Sequence, residues 1–446
     1  MPLFKVQPPI GRGAKSFTLG GDGQKSRTLL GRLAEFGPQR DVWLDLDREH
    51  VVAIVGKRGS GKTHTLGVLV EGLSYASHES GVSKMDPGRQ HAVVIFDTLN
   101  LFQWVDLPLS AAKGPNAQRQ RELLAKWKFE PRPIEPTFWH PVGSEPATPK
   151  SCPFSINPMD MDAQDWGRLL NVDIAAEPMG QLVNDVYTRV QRRPGARASA
   201  TTDRYSVDDM LTILRSDATI QTDYAPETIR GVRQRLSALA RSPLFDPRQP
   251  DWTAALKRGH VAVFLLGRVP EDLRSVLVFL VIRRLLETRS AASEAAKHAV
   301  IVGDSLPLEQ VPPTWLVIDE AQNILPSRNA TAANDILTRF VREGRNFGLS
   351  LAVTTQQPTS IDPRVMAQVD TLIAHTLTVR NDVGYIITNL KSGEPASIHA
   401  GPREVTLPDS LRLLDPGQCM VSSVESPRLV FCDVRPRLTL HGGFEG

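Results

Sequence analysis

Cysteine is scarce in this chain. Cys152, Cys419 and Cys432 form no CxxC pair and no even-numbered set, which excludes a disulfide framework and points to a reducing compartment with thiols packed as small hydrophobes. Long apolar runs are missing too. The longest, SVLVFLVI at 275–282, is closed by Arg283 and Arg284, far short of the roughly 20 residues a spanning helix needs. The N-terminal string MPLFKVQPPIGRGAK has basic residues with no continuous apolar stretch behind them, so no secretory signal is expected. A cytoplasmic protein without a membrane partner follows as the expectation. Charge of one sign is also lacking: 52 Lys and Arg against 49 Asp and Glu leave +3, too small a bias to name or exclude a nucleic-acid partner, so any basic surface must be local. There is no solenoid repeat and no heptad run. No G-x-S-x-G elbow occurs, and His91, His140, His375, His399 and His441 are scattered without metal-ligand spacing.

What remains is an ordinary globular composition, 41% hydrophobic and 23% charged over 446 residues. That length suits about three structural units, or one large α/β domain carrying an insertion. Continuous apolar runs at 51–55 (VVAIV), 92–96 (AVVIF), 261–266 (VAVFLL), 315–318 (WLVI), 349–354 (LSLAVT) and 371–374 read as buried strands. Separated by helical stretches, they predict a largely parallel sheet with helices on both faces. From about 161 to 256, apolar residues fall at helical spacing, among them Leu169, Leu182, Val186, Leu211, Leu214 and Leu236, and predict a helical insertion. Within it, residues 191–204 (QRRPGARASATTDR) read as a loop. Its Arg192, Arg193, Arg197 and Arg204 could touch phosphates, though solvation alone accounts for them. Trp104, Trp166, Trp252 and Trp315 sit among apolar neighbours and read as packing residues.

The segment Gly56-Lys57-Arg58-Gly59-Ser60-Gly61-Lys62-Thr63 meets G-x-x-x-x-G-K-[ST] at every fixed position, between a buried strand and a helix with Leu66, Leu69, Val70 and Leu73 on one face. Glycines let successive N–H groups curl inward, and the helix offers its positive end to the same anion. Lys62 can then reach the β and γ phosphates of ATP, and the Thr63 hydroxyl can ligate Mg²⁺. Thr65, at the start of the helix, joins the candidate nucleotide contacts. Hydrolysis needs a second half, which Trp315-Leu316-Val317-Ile318-Asp319-Glu320 supplies with two acids at a strand's carboxyl end. Asp319 would hold the metal through its water shell, and Glu320 would activate the attacking water. Asp319 follows Lys62 by 257 positions, whereas one crossover unit needs about 30 residues; the insertion accounts for the excess.

After the acidic pair come REGRNFGLSL at 342–351, TTQQP at 354–358 and SID at 360–362. This combination resembles the HerA/FtsK superfamily of hexameric P-loop translocases, most closely its HerA branch. Asp97 after the second strand, FLLGRVPEDLR and LLDPGQCMVSS are similar to the same family, and the resemblance covers about residues 40–440. It implies an α/β fold, a RecA-like P-loop NTPase core with a mostly parallel sheet and a large helical insertion. The expected division is a short lead-in at 1–40, the first part of the core at 41–150, the insertion at 151–256, and the second part at 257–446. By position, Gln356 resembles the polar sensor of the γ-phosphate. Arg345, 25 positions after Glu320, resembles the arginine that reaches a nucleotide across the subunit interface. The other reading of Arg345 is a solvated basic stripe with Arg339 and Arg342 on one helix face. Arg48 resembles a further interface arginine, and Arg328 could face a central channel. Full-length members of the branch carry an N-terminal β-barrel; only 50 residues precede the P-loop strand here, so the barrel, where the family docks its nuclease partner, is expected to be missing or vestigial.

The resemblance implies a homo-oligomeric, hexameric ring that hydrolyses ATP with Mg²⁺ and moves double-stranded DNA, feeding a separate nuclease or other effector. The alternative is an ATP-binding oligomeric scaffold that activates a partner effector in a bacterial antiphage defence system. A secretion-type ATPase would share the core but would bring membrane segments or a recruiting domain, neither of which is visible in the sequence.

Overall fold

The computed structural model describes residues 3–7, 9–10, 16–74, 81–145, 148–192, 205–246, 252–305, 311–328 and 331–440. They divide into two compact units: Met1–Phe138, Thr253–Gly267 and Arg284–Gly446 form one, and Trp139–Trp252 with Arg268–Arg283 form the other.

The centre of the first unit is a run of parallel strands, in the order Thr371–Ala374, Val51–Val55, Leu349–Thr355, Thr314–Ile318, Ala92–Asp97 and Val261–Leu265. Every residue in these strands is buried. A parallel sheet is covered on both faces, so its strands read as unbroken apolar runs, and those runs are what the sequence displays. The sheet then continues in antiparallel fashion. Gln418–Ser423 pairs with Thr371–Ala374, Val430–Val434 with Gln418–Ser423, Ser26–Leu33 with Val430–Val434, and Asp41–Asp45 with Ser26–Leu33. Residues of the expected lead-in thus supply the strand Ser26–Leu33, with Leu29 and Leu30 buried. Cys419 and Cys432 lie opposite each other in this extension, both buried, whereas Cys152 is exposed and does not pack as expected.

The P-loop helix Lys62–Ser74 lies against the extension. Gly67 and Gly72 leave room on it for Arg437 and Thr28, whose side chains approach too closely for any Cβ. Beneath it, buried Glu71 accepts from Arg435 at 2.7 Å, from the Thr439 hydroxyl at 2.7 Å and from the Thr439 N–H at 2.9 Å. Arg437 completes the cluster at 3.5 Å. Charges this deep persist only when paired in this way, and the cluster ties the chain's C-terminal segment to the back of the nucleotide helix.

The second unit is helical: Ala163–Leu170, Pro178–Gln191, Val207–Ser216, Ala218–Asp223 and Pro226–Ala240. Trp166, Leu182, Val186, Leu211, Leu214 and Leu236 are buried in it. Capping boxes start two of the helices, Asp162 with Asp165 and Ser206 with Asp209. Arg192 caps the helix Pro178–Gln191, while Arg193, Arg197 and Arg204 lie outside the described residues. The apolar run at 275–282 falls within the helix Glu271–Val302, and among the described residues no helix is long and apolar enough to cross a membrane.

Candidate active site

In-register parallel strands bring the loops at their carboxyl ends together. Val55 is level with Thr355, and Ile318 with both Val353 and Phe96. Gly56, Gln356, the Asp319-Glu320 pair and Asp97 therefore share one edge of the sheet, where open α/β folds bind ligands.

The loop 56–61 turns on Gly59 (φ 73°) and Gly61 (φ 113°), conformations that glycine adopts without strain. Lys57 N–H donates to Thr376 O at 2.8 Å, and Gly417 N–H donates to Ser60 O at 3.2 Å. The DPGQ string thereby gains a physical role as a buttress of the phosphate loop. Below the loop, buried His375 bonds Gln418 O through Nδ1 at 2.7 Å and the Thr65 hydroxyl through Nε2 at 2.8 Å. Burial drops the His375 pKa to about 3, so the ring is neutral, donates to Gln418 and accepts from Thr65. The Thr65 hydroxyl is thus turned towards His375 under the loop. Lys57, Arg58 and Gly59 are exposed along the loop, and Ser60 is buried.

Lys62 is buried, with Nζ donating to Lys57 O at 3.0 Å. Burial lowers its pKa, against the opposing pull of Glu320 and Asp319. Asp319 Oδ1 accepts from the Thr354 hydroxyl at 2.5 Å and from the Thr63 hydroxyl at 3.3 Å. Its Oδ2 is buried without a hydrogen-bond partner. Burial, aided by the neighbouring Glu320, pushes Asp319 up to about 6. An orphaned carboxylate oxygen beside a threonine hydroxyl offers hard oxygen donors that fit a divalent cation, whose charge would keep Asp319 ionised.

Glu320 has a left-handed backbone, φ 51°, a conformation that costs a non-glycine residue energy and marks sites of function. Its N–H donates to the Thr354 hydroxyl at 2.9 Å. Its carboxylate accepts from Gln356 Nε2 at 2.6 Å and from Gln322 Nε2 at 2.7 Å. Gln322 is anchored in turn by the Thr355 hydroxyl at 2.8 Å. Sequence reasoning singled out Gln356 but missed Gln322, Thr354 and His375. An amide two positions after the glutamate was the available signal for Gln322. Asp97 is fully buried and pushed up to about 7 by burial. Its oxygens accept the N–H groups of Leu99, Leu101 and Phe102, so it holds the loop after its strand.

Arg345 and Arg48 stand elsewhere. Arg345 lies in the turn Gly344–Phe347, beyond the end of the helix Ala332–Glu343 and ahead of the strand Leu349–Thr355. Its Nη2 donates to Asp370 at 3.0 Å, and Asp370 accepts the N–H of Val51. Arg345 is therefore at the start of the P-loop strand, which spans about 13 Å to the phosphate end. Arg339, by contrast, pairs with Glu343 on the helix at 2.8 Å, so Arg345 does not continue that stripe. Arg48 sits at the same strand-start edge, exposed and paired with Glu425 at 2.9 Å. Arg328 is exposed. Trp166, Trp252 and Trp315 are buried as expected, but Trp104 is 40% exposed.

A family model described as the central domain of helicase HerA matches residues 30–285. The DNA double-strand break repair helicase HerA of Saccharolobus solfataricus is 26% identical over 195 residues, covering 43% of this chain and 35% of the relative. The Pyrococcus furiosus protein of the same description is 25% identical over 186 residues, covering 38% and 33%. The chain thus spans about a third of the length of the curated relatives it matches. Among solved structures, VirB4 of Thermoanaerobacter pseudethanolicus is similar with a TM-score of 0.57 and 13% identity, over 93% of this chain and 97% of that one. That likeness concerns fold, and the fold is the RecA-like P-loop NTPase core expected from the sequence.

Proposed function

Because the chain belongs to the HerA helicase central-domain family, we propose that it is a ring-forming, Mg²⁺-dependent ATPase that moves double-stranded DNA and works with a separately encoded nuclease or other effector. One observation carries this reading. The chain holds a complete phosphate loop and acidic pair on one edge of its sheet, while its finger candidate Arg345 stands on the opposite edge, bound to Asp370. Such an arginine serves a phosphate only if the phosphate belongs to a neighbour, and a heterologous contact of this kind forms a ring when its rotation closes.

In the proposed reaction the loop N–H groups and Lys62 bind the β and γ phosphates, and Gln356 senses the γ position. Glu320, aimed by the Gln322 and Gln356 amides, orients the attacking water and takes its proton. Thr63 and Asp319 would hold Mg²⁺, which neutralises charge across the phosphates when bound. Arg345 of the adjacent subunit stabilises charge on the transferring group, an effect worth about 10³ to 10⁵ in rate for fingers elsewhere.

Light scattering at micromolar concentration, with an ATP analogue and duplex DNA, is expected to give a single mass of several subunits, a hexamer; a monomer mass counts against the ring. Linear duplex DNA should raise turnover, and strand displacement should appear with the protein alone or with the product of a neighbouring gene. Absence of displacement alongside activation of that product would select the scaffold role instead.

The cross-subunit site has its own test. Arg345→Ala and Glu320→Gln subunits are defective at different junctions, so mixed rings regain hydrolysis wherever an intact base meets an intact finger. Steady-state ATPase activity across mixing ratios should exceed the sum of the separate variants. Strictly additive background, in rings shown to contain both subunits, would remove Arg345 from the neighbour's site.

A further inference from the structure

Asp370 belongs to none of the motifs, yet three elements converge on it. It precedes the strand Thr371–Ala374, and its Oδ2 accepts from the N–H of Val51 at 2.9 Å and from Arg345 Nη2 at 3.0 Å. Its Oδ1 lies 3.3 Å from Nδ1 of His50. Beyond it, His50 Nε2 lies 3.5 Å from Asp45. His50 is 4% exposed, Asp370 15% and Arg345 53% at their side chains. Burial disfavours the charged imidazole, but the two flanking carboxylates outweigh it and raise its pKa to about 9. The same histidine overcomes the burial of Asp370 and lowers that carboxyl. An ionised carboxylate is therefore fixed by a backbone N–H and an imidazolium on its inner side, and it presents one oxygen to an arginine on its outer side.

We infer that Asp370, braced by His50, is the positioning residue that presents Arg345 to the neighbouring subunit's nucleotide; this rests on the cross-subunit reading of Arg345 given above. An exposed arginine gives up rotamer freedom when it is ordered. A finger must be ordered before the γ-phosphate arrives, because preorganised charge stabilises a transition state better than charge that must first be gathered. Only Nη2 is engaged by Asp370, and a guanidinium has five N–H donors in all, so donors remain for an anion on a side chain that is half exposed. Asp370 is itself held by the N–H of Val51, the first residue of the strand whose far end carries the phosphate loop, which ties the donated finger to the accepting loop of the same subunit through that strand. An ordinary exposed ion pair would contribute little to stability and nothing to turnover.

The test uses the full chain with duplex DNA. Asp370→Asn is expected to lower kcat roughly tenfold, the scale of outer-shell partners, with KM for ATP unchanged. Mixed with Glu320→Gln, it should regain activity above the sum of the two, as a donor-side defect must. Added to Arg345→Ala, it should lower kcat no further. Parental turnover in D370N, or a loss that persists in the Arg345→Ala background, overturns the inference. So does a D370N and E320Q mixture without recovery when the R345A and E320Q mixture recovers; failure of both mixtures instead defeats the finger reading itself. Should D370N not assemble, Asp370→Glu keeps the charge beside His50 and moves the carboxylate by one methylene. Recovery in the same mixture then supports the inference, and none overturns it.

Discussion

Lys62→Ala is expected to abolish detectable ATP hydrolysis, a loss of at least about 10³-fold on the scale of removed phosphate-site charges. Two things disappear together. The ammonium that would meet the β and γ phosphates is lost, and with it the buried positive charge facing Asp319 and Glu320. Neither Lys57 nor Arg58 can substitute, because both are exposed along the outside of the loop. The fold should survive: the variant loses the single bond from the Lys62 ammonium to Lys57 O, while the loop's bonds to Thr376 O and Gly417 N–H and the His375 bonds beneath it remain. Phosphate release and equilibrium binding of a fluorescent ATP analogue, beside thermal melting as a folding control, read the result. Unchanged turnover in the purified variant would remove the central claim.

Glu320→Gln is expected to keep ATP bound while cutting its hydrolysis by about 10² to 10⁴, the contribution typical of a positioned general base. The structure adds a detail. Both Glu320 oxygens now accept amide N–H groups, and a glutamine has one oxygen and one NH₂, so one neighbouring amide must turn over. Gln322 is held by the Thr355 hydroxyl at its own oxygen, which makes Gln356 the side chain that flips. Filter retention of labelled ATP should show a long-lived complex in E320Q, and single-turnover kinetics should show the chemical step as the slow one. Parental turnover would take Glu320 out of the chemistry. Asp97 could not inherit the role, because its oxygens already accept three backbone N–H groups.

The phosphate loop, the acidic pair and the parallel sheet were legible in the residues themselves. Phosphate binding needs glycines, a lysine and a hydroxyl at fixed spacing along one turn, and a doubly covered strand needs an unbroken apolar run; both are local requirements that the sequence must carry in order. Gln356 was legible only through resemblance, as a polar residue just past a buried strand. The antiparallel extension was not legible. Gln418–Ser423 is buried along its whole length while containing Gln, Cys and Ser, and polar residues become strand interior only when partners such as Asp433, Ser392 and Lys391 satisfy them.

The sequence by itself determined what chemistry this chain can hold: a phosphate loop, a candidate metal-holding acid, a candidate base, and the edge of the sheet they occupy. Tertiary structure alone decided which of the remaining residues serve that edge. It placed His375 and the DPGQ turn beneath the loop and Gln322 on the Glu320 carboxylate. It set Arg345 on the far edge, held by an aspartate 25 positions away that a histidine braces from 320 positions upstream of that aspartate. The physical reason is that a hydrogen bond across the fold leaves no periodicity and no local spacing in the chain; it exists only once the strands that carry its two ends are paired in register.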